Sequence, residues 1–303
     1  MNEVSQIEMN NGRAVWPAFV AATFTLLLWS GTAIANKFAV MHMDALSAGI
    51  LRSMIAGSLA LVIALVLRLP FPARGKDRLL LLISGVTSFA VWPMLLSLGI
   101  GRTTAGHAAV IMAMIPILTV LIASVIARKV PALLWWIGAG IALVATMTLI
   151  GNRQYASVDS SAWGDMVVLF GCLSCASGYV AGGTLSPKIG TAATTFWGLS
   201  MALMVLIPSF LLVYARTDWA TVPFEAWAGI AWMAFMSSLT GYALWFFALG
   251  RAGIERISTL QLAMPVLTLV AAALLLDETL SLFIGLVCVA VVVGTWLAQR
   301  NAN

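Results

Sequence analysis

The chain has 303 residues, of which 62% are hydrophobic and 9% charged, with a mean hydropathy of +1.02. Soluble domains are about a quarter charged and roughly half apolar, so this composition excludes one, and it excludes a disordered chain as firmly. Three cysteines, Cys172, Cys175 and Cys288, form an odd set inside apolar runs and rule out a disulfide scaffold. An integral membrane protein remains.

A helix needs about 20 residues to cross the hydrocarbon. Apolar stretches of that length fall at 16–36, 46–67, 79–99, 105–127, 133–151, 163–183, 192–214, 226–249, 257–276 and 281–298. Most are continuous rather than alternating and their connectors are short, which predicts an all-α protein of ten transmembrane helices and not barrel strands. The segment from Met1 to Val15 holds Glu3, Glu8 and a single Arg13. It lacks the basic start of a cleaved signal peptide, so the first stretch is expected to stay as helix 1. Eleven of the sixteen Lys and Arg fall on one side of this topology. Lys37, Arg102, Arg153 and Arg216 fall on the other, with Arg52 inside helix 2. Cytoplasmic connectors collect positive charge, which predicts that both termini are cytoplasmic. The same asymmetry accounts for the net charge of +5, and no nucleic-acid partner is implied.

The sequence repeats itself. A shift of 149 residues lays Gly101-Arg102 on Gly250-Arg251 without a gap and carries Pro116 onto Pro265, Leu118-Thr119 onto Leu267-Thr268 and Ala123 onto Ala272. A weaker shift of 147 lays Ser30-Gly31 on Ser177-Gly178. The halves, 1–151 and 152–303, therefore read as one five-helix unit used twice. Five is odd, so the second copy enters the bilayer inverted, a plan found in secondary transporters with the substrate site between the repeats. Pro116 and Pro265 each remove a backbone hydrogen bond near the middle of a helix. Matched interruptions of this kind mark a hinge or a cavity wall.

The run Trp29-Ser-Gly-Thr-Ala-Ile-Ala-Asn36-Lys37 resembles the helix 1 signature of the EamA-type branch of the drug/metabolite transporter superfamily. So do Gly241-Tyr242-Ala-Leu-Trp245 through Arg251, Leu262-Ala-Met-Pro265, Glu278 and Gly285. Lys129 stands where the repeat would place a second carboxylate matching Glu278, a departure from the pattern of that family. The resemblance implies a bacterial inner-membrane carrier, with a cavity walled mainly by helices 1 to 4 and 6 to 9 and with helices 5 and 10 peripheral. It also implies export of amino acids, aromatic ones among them. For Glu278 it leaves a structural role beside a transport one.

Polar groups inside a bilayer mark helix contacts or a cavity. Arg52 either snorkels to the nearer surface or attracts a substrate carboxylate. His107 either titrates near neutral pH or bridges helices. Asn36 and Lys37 end helix 1, where Lys37 is expected to reach water. Gln261 stands four residues before Pro265, and Ser30 and Ser177 match under the repeat. Trp29, Trp92, Tyr179, Tyr242 and Trp245 lie deep, to pack helices or to hold a flat apolar ligand. Met112 and Met264 flank the matched prolines with flexible side chains suited to several ligand shapes, whereas Gly178 and Gly182 allow close helix contact.

Cys172-x-x-Cys175 lacks the further ligands a metal would need, and no nucleotide, zincin or nucleophile motif is present. Neither metal nor cofactor is expected, and a membrane-embedded enzyme lacks its acid, base and metal constellation. The reading is a secondary transporter working by alternating access on a small-molecule substrate, as a monomer or weak dimer. All eleven acidic residues lie in termini, connectors or within a few residues of span ends, which predicts a facilitator. A proton-coupled multidrug or metabolite efflux carrier is the alternative, with His107 as the titratable group.

Overall fold

The computed structural model describes residues 3–151, 161–252, 259–278 and 281–300, and these are helical with no strand among them. Among the described residues seven helices are long and apolar enough to cross a membrane: α1 (Trp16–Val40), α2 (Ala45–Val66), α3 (Gly75–Ile100), α4 (Ala105–Ala127), α5 (Leu133–Gly151), α6 (Ala162–Ile189) and α7 (Thr191–Arg216). The next helix, α8, spans 224–252 in three consecutive pieces. Two shorter apolar helices follow, α9 (Leu260–Leu275) and α10 (Leu282–Ala298). Ten crossings were the expectation; seven are clear by length among the described residues, and α8 to α10 occupy the places of the other three. Arg153, Asp159, Glu255 and Arg256, used in the charge reading, lie outside the described residues.

Helix starts follow from short polar side chains that take up the free N–H groups of a first turn. Asp44 Oδ2 accepts from Ser47 N at 2.9 Å to open α2. Thr104 Oγ1 accepts from His107 N at 3.1 Å to open α4, and Ser161 Oγ accepts from Gly164 N at 3.0 Å to open α6. At the other ends, Arg128 after α4 and Asp277 after α9 both adopt the left-handed conformation, with φ of 53° and 51°. Their positions differ by the same 149 residues as the matched prolines.

Several helices are interrupted. In α1 a turn at Gly31 separates two helical pieces, and α4 breaks between Met112 and Ile115. A tight 3-10 turn, Thr259–Ala263, leads into the regular part of α9 at Met264. Pro116 and Pro265 each stand second in the resumed helix, where a missing N–H costs least. Wider π-turns occupy Val86–Val91 of α3 and Trp232–Thr240 of α8. Such turns free carbonyls from the i→i+4 ladder, and neighbouring helices use them. Trp29 Nε1 of α1 donates to Ser237 O at 2.8 Å, and Ser174 Oγ of α6 donates to Thr87 O at 2.9 Å.

Helix α1 thus packs along α8, α3 along α6, α2 along α7, and α5 along α10. In the last pair a Cβ at Gly294 would stand 2.6 Å from the carbonyl oxygen of Gly138, and one at Gly138 would meet the Gly294 carbonyl in return. Only glycine lets two backbones approach so closely. Gly178 and Gly182 serve the same end against Ser88 and Ser84 of α3. Trp135 is 1% exposed in the apolar core that α5 shares with α10 and α4.

Candidate functional site

Two groups of polar and aromatic side chains lie inside the bundle. The first is centred on Tyr242, the second residue after the π-turns of α8. Its ring meets Trp29 edge-on at 5.3 Å and Phe89 edge-on at 5.7 Å, and Trp245 leans on Trp29 at 5.2 Å. The Tyr242 hydroxyl shares a hydrogen bond with Tyr179 of α6, which also bonds the Cys175 thiol. Tyr179 stays 40% exposed although its hydroxyl meets another helix.

Arg52 of α2 enters the same group, with Tyr242 and Cys175 as its electrostatic neighbours. It is 6% exposed. Its Nη1 reaches Met233 Sδ at 3.1 Å, and its Nε has no partner among the described residues. Snorkelling, one of the two readings of the sequence, is therefore not what the side chain does. A lone arginine at mid-helix costs about 2.5–3.5 kcal/mol on insertion scales, and a thioether is a weak, uncharged acceptor that returns little of it.

One face of α1 supplies Trp29, Thr32 and Asn36, spaced three and four residues apart. Thr32 Oγ1 and Ser237 Oγ are 2.8 Å apart. Asn36 is fully buried, and neither atom of its amide is hydrogen-bonded among the described residues. Buried amides are normally satisfied, so this one is open to a ligand or water.

The second group surrounds the connector between α3 and α4. His107 Nδ1 stands 3.1 Å from Asp165 Oδ2, with exposures of 2% and 0% for the two side chains, and Thr103 Oγ1 donates to the other carboxylate oxygen. Lys37 is half-buried, and its ammonium donates to Thr103 O at 2.9 Å and Ile100 O at 3.3 Å, at the end of α3 and in the connector after it. Glu278, at the end of α9, accepts from Ala105 N at 2.8 Å and Gly106 N at 3.0 Å. With Thr104 it satisfies three of the four free N–H groups of α4 and places a negative charge at the positive end of that helix.

Two stretches of the chain, residues 16–151 and 162–299, each match the EamA-like transporter family. The chain belongs to that family. It is 29% identical over 281 residues to the uncharacterized transporter YdeK of Bacillus subtilis, covering 92% of this chain and 95% of that one. It is 24% identical over 276 residues to a probable terminal-alkyne amino-acid exporter of Streptantibioticus cattleyicolor, covering 89% and 88%. Over 173 residues, 52% of this chain and 56% of the other, it is 28% identical to a probable amino-acid metabolite efflux pump of Escherichia coli. A solved crystal structure shares the fold with a TM-score of 0.62 at 16% identity, over 94% of this chain and 97% of that one. The protein is thus a multi-pass membrane transporter built from two copies of the EamA unit.

Of the residues singled out in the EamA-like sequence, Trp29, Asn36, Tyr179, Tyr242 and Trp245 lie in or beside the first group. Met264 packs on the cluster formed by Trp29 and Trp245. Trp92 lies instead in the apolar core, flat against Gly171, where a Cβ would come within 2.8 Å of its ring. Ser30 and Ser177 spend their hydroxyls on their own helices, bonding Leu27 O and Leu173 O. Met112 edges the same core as Trp92, and Gln261 is half-buried in the tight turn ahead of Pro265. Phe89, Cys175, Ser237 and Asp165 joined no site in the sequence reading. The one sequence signal for Asp165 is its place within the first turn of a spanning helix.

Proposed function

We propose that this EamA-family transporter exports amino acids or related metabolites with large side chains across a bacterial inner membrane. In this reading residues 1–151 and 152–303 form two inverted five-helix repeats, both termini are cytoplasmic, and the first group is the substrate cavity. The observation that carries the reading is the aromatic wall of Trp29, Phe89, Tyr242 and Trp245 beside the Tyr179 hydroxyl. Flat rings with polar tips suit a ligand that is apolar at one end and polar at the other. The amino-acid exporters among the relatives agree with it.

Transport in proteoliposomes is the test. Purified protein should show saturable uptake and counterflow of phenylalanine. Tyr242→Ala should weaken phenylalanine about tenfold more than threonine, the equivalent of one aromatic contact of about 1.4 kcal/mol. Equal losses for both substrates, or a flux that neither saturates nor exchanges, would count against the assignment.

Alternating access is the proposed mechanism, with the paired breaks of α4 and α9 as its joints. The breaks precede Pro116 and Pro265, and paired interruptions let half-helices tilt while the rest moves as rigid bodies. Replacing both prolines with alanine should slow counterflow severalfold while leaving the folded yield and the affinity near those of the unaltered protein. An unchanged exchange rate would remove the joints from the mechanism.

The facilitator reading rested on every acidic residue lying in a terminus, a connector or near a span end, and Asp165 does lie in the first turn of α6. It is nevertheless fully buried against His107, which supports the second reading, proton coupling. A buried carboxylate and imidazole can exchange a proton with the medium as the protein changes conformation.

A further inference from the structure

The charges of the first group do not balance. Arg52 is a buried guanidinium, cationic at any physiological pH, and its one polar contact among the described residues is a thioether. The neighbours that sense its charge are a phenol and a thiol, Tyr242 and Cys175. Five carboxylates among the described residues are engaged elsewhere. Asp44 caps α2, Asp77 pairs with Lys188, Asp165 pairs with His107, and Glu278 caps α4. Asp218 accepts from Ala220 N in its own connector. A buried cation left without an anion is costly unless one arrives with a ligand.

We propose that Arg52 is the anion anchor of the transported substrate and that the substrate's defining group is a carboxylate, with an ammonium group dispensable. This rests on the cavity assignment above and goes further, since amino acids then bind as one kind of large apolar carboxylate. The guanidinium fork offers two parallel N–H donors to a carboxylate, and Nε, which is unpartnered, is one of the donors available for that fork. The Tyr242 phenol stands near it, with Tyr179 bonded to that phenol in turn, while Trp29 and Phe89 meet the apolar end. An ammonium finds amide and hydroxyl oxygens from Asn36, Thr32 and Ser237 but no carboxylate among the described residues. Cationic drugs meet a like charge and are rejected.

The experiment compares ligands of matched shape on the purified full-length protein, reading affinity from tryptophan fluorescence and ligand-induced shifts in Tm. The panel is L-phenylalanine, 3-phenylpropionate, phenethylamine and 3-phenylpropanol, with butyrate and butylamine as short probes. Carboxylates should bind at least tenfold more tightly than amines of the same skeleton, and 3-phenylpropionate should match phenylalanine within about threefold. Arg52→Gln should lose carboxylate affinity at least tenfold while 3-phenylpropanol binding is unchanged, and Arg52→Lys should recover part of the loss. Unchanged binding of the neutral alcohol certifies that the variant is folded. The proposal is overturned if amines bind as well as carboxylates, if no carboxylate in the panel binds, or if Arg52→Gln binds them within twofold of the unaltered protein. Should butyrate bind through Arg52 while no aromatic carboxylate does, the large-side-chain reading fails and the anchor stands.

Discussion

In proteoliposomes made acidic inside, the protein should accumulate a zwitterionic substrate above equilibrium, and Asp165→Asn should abolish that accumulation. One pH unit is worth about 1.4 kcal/mol, so a one-for-one exchange of proton for substrate sustains up to about a tenfold ratio. The protons would be handled by Asp165 and His107, which face each other between α6 and α4. The charged groups on the elements packed against the pair are Lys37, held on the Thr103 carbonyl, and Glu278, on the first turn of α4, while Arg102 is exposed and joins only through its carbonyl, which accepts from Ser161. Protonating Asp165 replaces an acceptor of the Thr103 and His107 contacts by a donor. That loosens a junction tying α4 to α6, the sort of two-state contact a carrier needs between its open and closed forms. Counterflow, which needs no gradient, should survive in Asp165→Asn at a reduced rate. If the unaltered protein reaches the same plateau with and without the pH gradient, the protein is a facilitator and the pair is structural.

The second large effect concerns Glu278. Replacing it by alanine should lower the stability of the detergent-solubilised protein by about 2–4 kcal/mol, because two charge-assisted hydrogen bonds are lost and two N–H groups of α4 are left orphaned. Glu278→Gln retains one acceptor oxygen and should lose about half as much. Thermal unfolding followed by tryptophan fluorescence measures both. Since the carboxylate is bound to Ala105 and Gly106 and lies outside the aromatic group, Glu278→Ala that does fold should keep its apparent KM for substrate within about twofold, a change of under 0.5 kcal/mol. A variant that is fully stable but transports nothing would move Glu278 from a cap to the pathway. The departure at Lys129 is understandable in these terms. It lies two residues past the end of α4, where a cation suits the negative end of a helix, so the repeat preserves the left-handed turn of Arg128 and Asp277 and not the charge after it.

Much of the architecture was legible in the sequence. Seven spanning helices lie close to the apolar stretches marked by length and hydropathy, since the bilayer leaves a backbone little choice but to satisfy itself internally. The 149-residue shift found the two EamA units, because a repeat keeps its turn and break residues where the backbone needs them. The aromatic residues Trp29, Tyr242 and Trp245 were readable as deep, although whether they packed or lined a site was not.

What the tertiary structure alone decided were the partners of each polar group, because period and spacing say which face a residue occupies and not what stands opposite. Trp92 and Tyr242 are alike in depth and type, yet Trp92 faces Gly171 in apolar packing while Tyr242 faces Tyr179 and Arg52. Ser30 and Ser177 match under the repeat, and both turn back onto their own helices. Lys37 donates to carbonyls that lie more than sixty residues away in the chain. Asp165 reads in sequence as the ordinary acid of a helix's first turn, and only the approach of α4 buries it against His107. Composition and periodicity fixed the bilayer and the helices; the charge left unpaired at Arg52 and the pair made by His107 and Asp165 came from packing, where a polar side chain's energy depends on the one neighbour it meets.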